Sequence, residues 1–366
     1  MIATQFFPSR TVSIYLAKTF VLRAFAVLAA LVLVLQFLDA LSESGFILAH
    51  PGNGQGEVWR YISLRAPQIV ARFMPYSVLL GAIITYSTLN QNSEVIALKA
   101  SGLSAHQILA PMIVAAMGIA VLSFAFNDRI VSRATATLDA WKKVEYAPIP
   151  IDRGDRTNVW TKAGEDLINV QHVKRDGDAA TLSGVAFYDR DTQGRLIATL
   201  TAANGRREGN GWRIWPARKF DVASGQVSNL GSVVVAEGVR PDQFTLASVN
   251  AEGLSFLQLR DAVSALKAAG RPTKSYEGEL WHKLSGPLSA VLMPLLGAVA
   301  AFGIARSGKL FIRAVIGMAL GFTYFVVDNF ALAMGNLGAY PPYLAAWAPF
   351  LLFLMIGEAV LIRTEE

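Results

Sequence analysis

The stretch Gly303-Ile304-Ala305-Arg306-Ser307-Gly308-Lys309-Leu310 could, on spacing alone, bind a nucleotide, because it fits G-x-x-x-x-G-K. A phosphate-binding loop needs Ser or Thr after the lysine to hold Mg²⁺, and needs a buried parallel strand before it. Here Leu310 follows the lysine and an apolar run of membrane-span length precedes the glycine. The stretch reads as a basic turn, so this chain is not expected to hydrolyse a nucleotide. His50, His106, His172 and His282 are scattered, with no H-E-x-x-H or i,i+4 pair, so no metal site is expected. His282, in Trp281-His282-Lys283 just before an apolar run, reads as an interfacial anchor. No G-x-S-x-G is present, which leaves no serine nucleophile to nominate. No cofactor is implied.

The notable acids within apolar runs are Asp328 and Glu358. Acids in lipid are costly and usually face a bundle interior or a cavity. Asp328 can be a proton relay or a structural partner to a neighbouring helix. Glu358 fits a helix partner or a hydrated interfacial residue better. A third pattern is Asn90 to Ser104, between two apolar runs. Ser93 can cap a short helix around 91–102 and Gly102 can end it. Val95, Ile96, Leu98 and Ala100 give that helix an apolar side, suited either to a groove on a soluble partner or to a plain interfacial turn.

Composition says which elements must position these residues. Hydrophobic residues make up 53% of the 366 and charged residues only 16%, against roughly a quarter in soluble domains. Cysteine is absent, which removes disulfides, thiolate zinc sites and cysteine nucleophiles. The net charge of +6 matches the basic bias of cytoplasmic loops, and no nucleic-acid motif accompanies it.

A membrane helix needs about 20 mostly apolar residues, and six segments qualify. They run from about Phe20 to Leu41, Pro67 to Leu89, Ile108 to Phe126, Leu284 to Ile304, Ala314 to Met334 and Tyr343 to Leu361. Arg10, Lys18 and Arg23, the Arg306–Lys309–Arg313 loop and Arg363 place both termini in the cytoplasm. Arg60 and Arg65 on the other side weaken that vote slightly. The polar insert from Asn127 to Lys283 then lies outside.

The insert reads as strands. Turns fall at Ala163–Gly164, between Asp189 and Gly194, and at Asn210–Gly211, with further β-rich pieces at Phe220–Val222 and Ser232–Val235. That spacing suggests an antiparallel sandwich or jelly roll. Ser255 to Ala269 and Arg129 to Val144 read as helices joining it to the membrane. The expected class is a six-helix membrane protein with an inserted all-β, jelly-roll-like domain. Its divisions are 1–126, 127–283 and 284–366. The two halves show no sequence repeat, so an inverted-repeat transporter is not indicated.

"SEVIALKASGLSAHQILAP" at 93–111 resembles the coupling segment of the LptF/LptG lipopolysaccharide (LPS) export permeases. "VWTKAGEDLINVQHV" at 159–173, "LWHKLSGPLSAVLMPLLGAVAAFG" at 280–303 and "GFTYFVVDNFALAMGNLGAYPPYLAAWAP" at 321–349 extend the resemblance along nearly the whole chain. The Asp328 context and the Gly338…Pro341-Pro342 ending look more like the LptG branch. The resemblance implies a heterodimer of LptF and LptG in the inner membrane of Gram-negative bacteria, above two copies of the ATPase LptB. LPS enters a cavity between the permeases, is pushed into β-jellyroll domains, and passes to LptC and LptA. It implies that Glu94, with Ser93, Leu98 and Gly102, couples to the ATPase, and that the first and fifth spans line the cavity.

One departure concerns the ligand. Enterobacterial LptG carries lysines that contact LPS phosphates, and the matching positions here read Gln36, Ser42, Glu43 and Gln68. Arg60, Arg65 and Arg72 can substitute, since Arg pairs well with phosphate. The other explanation is an LPS with a different charge pattern. Two rivals remain: a proton-coupled transporter using Asp328, and a membrane scaffold that transports nothing.

Overall fold

The computed structural model describes residues 7–148, 156–164, 166–176, 179–191, 193–239, 250–268, 271–299 and 310–365. They fall into two compact units: a helical one from the segments up to Pro148 and from Asn250 onward, and a β unit between Ile149 and Val249.

The helical unit opens with α1 (Arg10–Ala49) and α2 (Gln55–Gln91), both far longer than the apolar cores that mark them in sequence. Ser9 caps α1, and Glu57 accepts from the Gly54 backbone N–H at the start of α2. Pro67 and Pro75 sit inside α2 without ending it. Next come α3 (Glu94–Ala100) and α4 (Ala105–Phe126), the latter opened by a Ser104–Gln107 capping box. A π-helical turn at Asn127–Val131 leads into α5 (Ser132–Lys143). After the β unit follow α6 (Phe256–Ala268), α7 (Lys274–Ala298), α8 (Leu310–Asn336) and α9 (Pro342–Glu365).

Five stretches among the described residues are long and apolar enough to cross a membrane: α1, α2, the continuous run from α4 through α5, and most of α8 and of α9. The expected fourth span begins inside α7 and continues into 300–304, outside the described residues, as do Gly303–Lys309 of the G-x-x-x-x-G-K stretch. The described part of α7 is enclosed on several sides, packing against α2, α4, α8 and α9. Ala290, Leu292, Met293, Leu295, Leu296 and Ala298 are each at most 2% exposed. Small residues allow that approach. A Cβ on Gly297 would lie 3.2 Å from Ala82, and one on Gly81 only 2.6 Å from the Ala24 Cα of α1.

The β unit contains β1 (Arg156–Ala163), β2 (Asp166–Asp176), β3 (Ala179–Arg190), β4 (Leu196–Glu208), β5 (Gly211–Asp221) and β6 (Val227–Val235). They pair antiparallel in sequence order, so the described strands form one six-stranded meander. The expected turns are present with two refinements. The β4–β5 loop is Gly209-Asn210, closed by the Glu208–Gly211 pair, and Phe220–Val222 is the end of β5 instead of a separate strand. The buried face is Val159, Ile168, Val170, Leu182, Val185, Leu200, Trp212 and Ile214. Strict alternation breaks once in each of four strands, where buried positions are three apart: 170 and 173, 182 and 185, 202 and 205, 214 and 217. These steps lie in register across β2 to β5. The Gln171/Gly184 irregularity, with Gly184 at φ +64, begins this crease. The register is unbroken through these steps from β2 to β5 and shifts there only against β6, between Ile214 and Ala217, where a bulge adds to the bend.

Candidate functional site

The helical unit holds an open cleft of about 1000 Å³. Its walls come from α1 (Leu35, Leu38, Asp39), α2 (Arg65 to Tyr76), the π-turn (Asn127, Asp128, Val131), α7 (Glu279 to Ala290) and α8 (Phe325, Asp328, Asn329), with Thr135 and Glu252 at its margin. The π-turn turns Asp128 into position, where its carboxylate accepts from the Phe256 backbone N–H at 2.6 Å and ties α6 to α4. Tyr76 and Phe325 stack with ring centres 3.9 Å apart, joining α2 to α8.

Three of the five proposed ligand contacts meet in this cleft: Arg65, Gln68 and Arg72. They differ in commitment. Arg65 Nε lies 3.2 Å from Asp39 Oδ2, its Nη2 donates to Asp39 Oδ1 at 3.2 Å, and its Nη1 donates to Gln68 Oε1 at 2.6 Å. Gln68 in turn donates to Thr135 at 3.1 Å, and Tyr61 donates to Asp39 at 2.6 Å. Arg72 makes no hydrogen bond or ion pair with any described residue. The other two fall elsewhere. Arg60 is exposed, its guanidinium 4.8 Å from the Trp141 ring centre, because that face of α2 looks toward α5. Gln36 does not line the cleft; its side-chain amide is enclosed and unpaired.

Asp328 lines the cleft at 6% exposure, with its carboxylate 3.9 Å from His282 Nε2. His282 therefore lines the cleft, because α7 begins ten residues ahead of the apolar run and carries it along the bundle. Glu358 on α9 meets His106 of α4 at 3.2 Å, a helix-to-helix pair. Among the described residues no group of three His, Asp or Glu could hold a metal ion.

At the end of the bundle that carries α3, the sequence pattern becomes a helix of the expected extent with different details. Ser93 adopts φ +59 and its side chain caps nothing; a left-handed turn, not a cap, starts the helix. Gly102, at φ +87, ends it as expected. Val95 is buried and Leu98 packs on the core, so Leu98 faces inward and Ile96, 68% exposed, is the outward apolar residue. The Glu94 carboxylate accepts from the Tyr15 hydroxyl of α1 at 3.0 Å and from Asn92 at 3.2 Å.

Sequence reasoning missed Asp39, Tyr61 and Tyr15. Asp39 had a signal: it lies within the first apolar run, where an acid needs a partner as much as Asp328 does.

The profile described as "Lipopolysaccharide export system permease LptF/LptG" matches residues 14–363. The chain belongs to that family. The LptF/LptG assignment makes it a multi-pass membrane protein and a permease component in LPS transport. Similar curated proteins are both named lipopolysaccharide export system permease protein LptG. The Escherichia coli K12 protein is 25% identical over 359 residues, covering 95% of this chain and 97% of its own length. The Haemophilus influenzae protein is 23% identical over 366 residues, covering 97% and 99%.

Proposed function

We propose that this chain is the LptG half of an ATP-driven LPS exporter in the bacterial inner membrane, a non-catalytic subunit of an ABC transporter. In this reading both termini are cytoplasmic and 127–283 is periplasmic, between membrane portions 1–126 and 284–366. The partners are LptF as second permease, two copies of LptB below, and LptC and LptA beyond the β unit. The observation that carries the reading is the cleft, which sets an uncommitted Arg72 beside apolar walls. Such a wall suits a lipid with an anionic headgroup.

The remaining features fit the same scheme. Leu33, Val34, Phe37, Leu41 and Phe46 of α1 are exposed, a face for lipid or for the partner permease. The β1 and β6 edges suit strand addition by a neighbouring β domain. Glu94 and Ile96 offer α3 an acid and an apolar anchor for a groove on the ATPase.

Affinity purification in detergent tests this. Wild-type chain should bring down a second six-span permease and an ATPase, and Glu94→Ala should weaken the ATPase contact. A chain that purifies alone and shows no ATP-dependent lipid release contradicts it. The buried Asp328–His282 pair favours one rival, a proton-coupled transporter, in which Asp328→Asn abolishes transport and Glu94→Ala does not.

A further inference from the structure

α1 is held in two different ways along its length. Its N-terminal half buries Leu16, Phe20, Ala24 and Leu28, and closes on Gly81 of α2 to within van der Waals limits. Its C-terminal half buries a single apolar residue, Ile47. Carboxylates do the work there. Asp39 accepts from Tyr61 and Arg65 of α2, and Glu43 accepts from Lys142 at 2.7 Å and from Tyr146 at 2.6 Å. Apolar packing is lost only by separating the surfaces. An ion pair can instead be exchanged: a competing anion keeps the cation paired, and the displaced carboxylate falls back on its remaining donor and on solvent.

The Asp39–Arg65 pair is placed for such an exchange. Both residues line the cleft, with the Asp39 side chain 24% and the Arg65 side chain 31% exposed. Asp39 engages Arg65 through both oxygens, the arrangement in which guanidinium also binds phosphate. The third guanidinium nitrogen, Nη1, donates to Gln68, so the guanidinium stays aimed at the same place whichever anion it holds.

We propose that Asp39 is a displaceable lock: a phosphate of the lipid headgroup takes its place on Arg65 and loosens the C-terminal half of α1 from α2, with Tyr61 left as the one donor that still holds Asp39. This rests on reading the cleft as the LPS site. Arg72 supplies first contact, Arg65 the exchange, and the movement of α1 is the reported consequence. Arg65 is then a positioning residue as well as a ligand contact, because its occupancy sets where α1 sits.

The sequence contains no cysteine, so two introduced thiols are the only labelling sites in this chain, which is labelled before it is combined with its partners. Spin labels at Leu41→Cys on α1 and Tyr343→Cys on α9, both exposed, report the distance between these helices. The full chain is reconstituted in nanodiscs with its co-expressed partner permease and ATPase. Intact LPS should lengthen and broaden the wild-type distance; LPS stripped of its lipid phosphates, and inorganic phosphate alone, should not. Asp39→Asn should show the shifted distance without LPS, and Asp39→Glu, which keeps the charge, should return it. Bound LPS is quantified in the same samples. Bound intact LPS with an unmoved distance overturns the lock and leaves the LPS site standing, whereas no bound LPS overturns the site itself. An Asp39→Asn distance equal to wild type, or an equal shift with either phosphate control, also overturns the lock.

Discussion

Arg65 and Arg72 lie seven residues apart on one helix and in one cleft, yet their replacement should have opposite signatures. Arg72→Ala removes a guanidinium that makes no hydrogen bond or ion pair with any described residue, so the fold loses little. Its loss falls on the ligand. A hydrogen bond to a charged group is worth about 1.5–3 kcal/mol, and Arg72 is exposed, which favours the lower end. With about 1.4 kcal/mol per factor of ten, LPS affinity should fall roughly tenfold. Arg65→Ala instead strands Asp39, which keeps only the Tyr61 hydroxyl. Leaving a partly buried carboxylate short of a partner costs about 1–3 kcal/mol of stability. The assay pairs thermal unfolding in detergent with photocrosslinking of LPS titrated onto each variant. Arg72→Ala should unfold with the wild type and bind LPS more weakly; Arg65→Ala should unfold earlier. Unchanged LPS binding by Arg72→Ala, or early unfolding by Arg72→Ala alone, refutes the reasoning.

Three further outcomes follow from particular contacts. Gly81→Ala places a methyl 2.6 Å from Ala24 Cα, and should cost about 1–3 kcal/mol through overpacking, more than the ~1 kcal/mol gained in helix propensity; Gly45→Ala, with nothing within 4 Å, should be neutral or stabilising in the same thermal scan. Tyr15→Phe removes the hydroxyl that holds Glu94 and should lower LPS released per ATP hydrolysed, measured in proteoliposomes, while leaving expression and unfolding temperature unchanged. Glu277 lies ahead of the apolar part of α7. Partial burial raises its pKa, but hydrogen bonds from Thr273 and Lys267 outweigh that and hold it below the usual carboxylate range. Its contribution to stability is therefore complete above the unfolded carboxylate pKa and disappears as pH falls through the lower folded value. Glu277→Gln should destabilise at pH 7 and converge with wild type in acid, seen as merging unfolding temperatures.

The helices were legible because long uncharged runs admit few alternatives, and α3 was legible because Gly102 punctuates it. Their ends were not. α1 begins ten residues ahead of its apolar core and α2 twelve ahead, and where the end of α1 meets the start of α2 and α5 the chain is held by pairs such as Asp39–Arg65 and Glu43–Lys142 that no local pattern announces. In the β unit, turn residues located the hairpins correctly. The crease across β2 to β5 stayed hidden, since it changes which face a residue occupies without changing its type. In the site, residue type nominated Arg65, Gln68 and Arg72 as ligand contacts, and the structure sets all three along the cleft. It could not separate them from Arg60, because which face of α2 meets the cleft is set by packing against α1 and α5. Leu98 illustrates the same limit: apolar character marks a helix face, but not whether that face meets the bundle or a partner.

The most direct test of the central claim is LPS release from proteoliposomes containing this chain, its partner permease and the ATPase, with and without ATP, for wild type and Glu94→Ala. The account predicts ATP-dependent release by wild type, with release lost in Glu94→Ala although the three chains remain folded. ATP-independent release, or full release by Glu94→Ala, would contradict it.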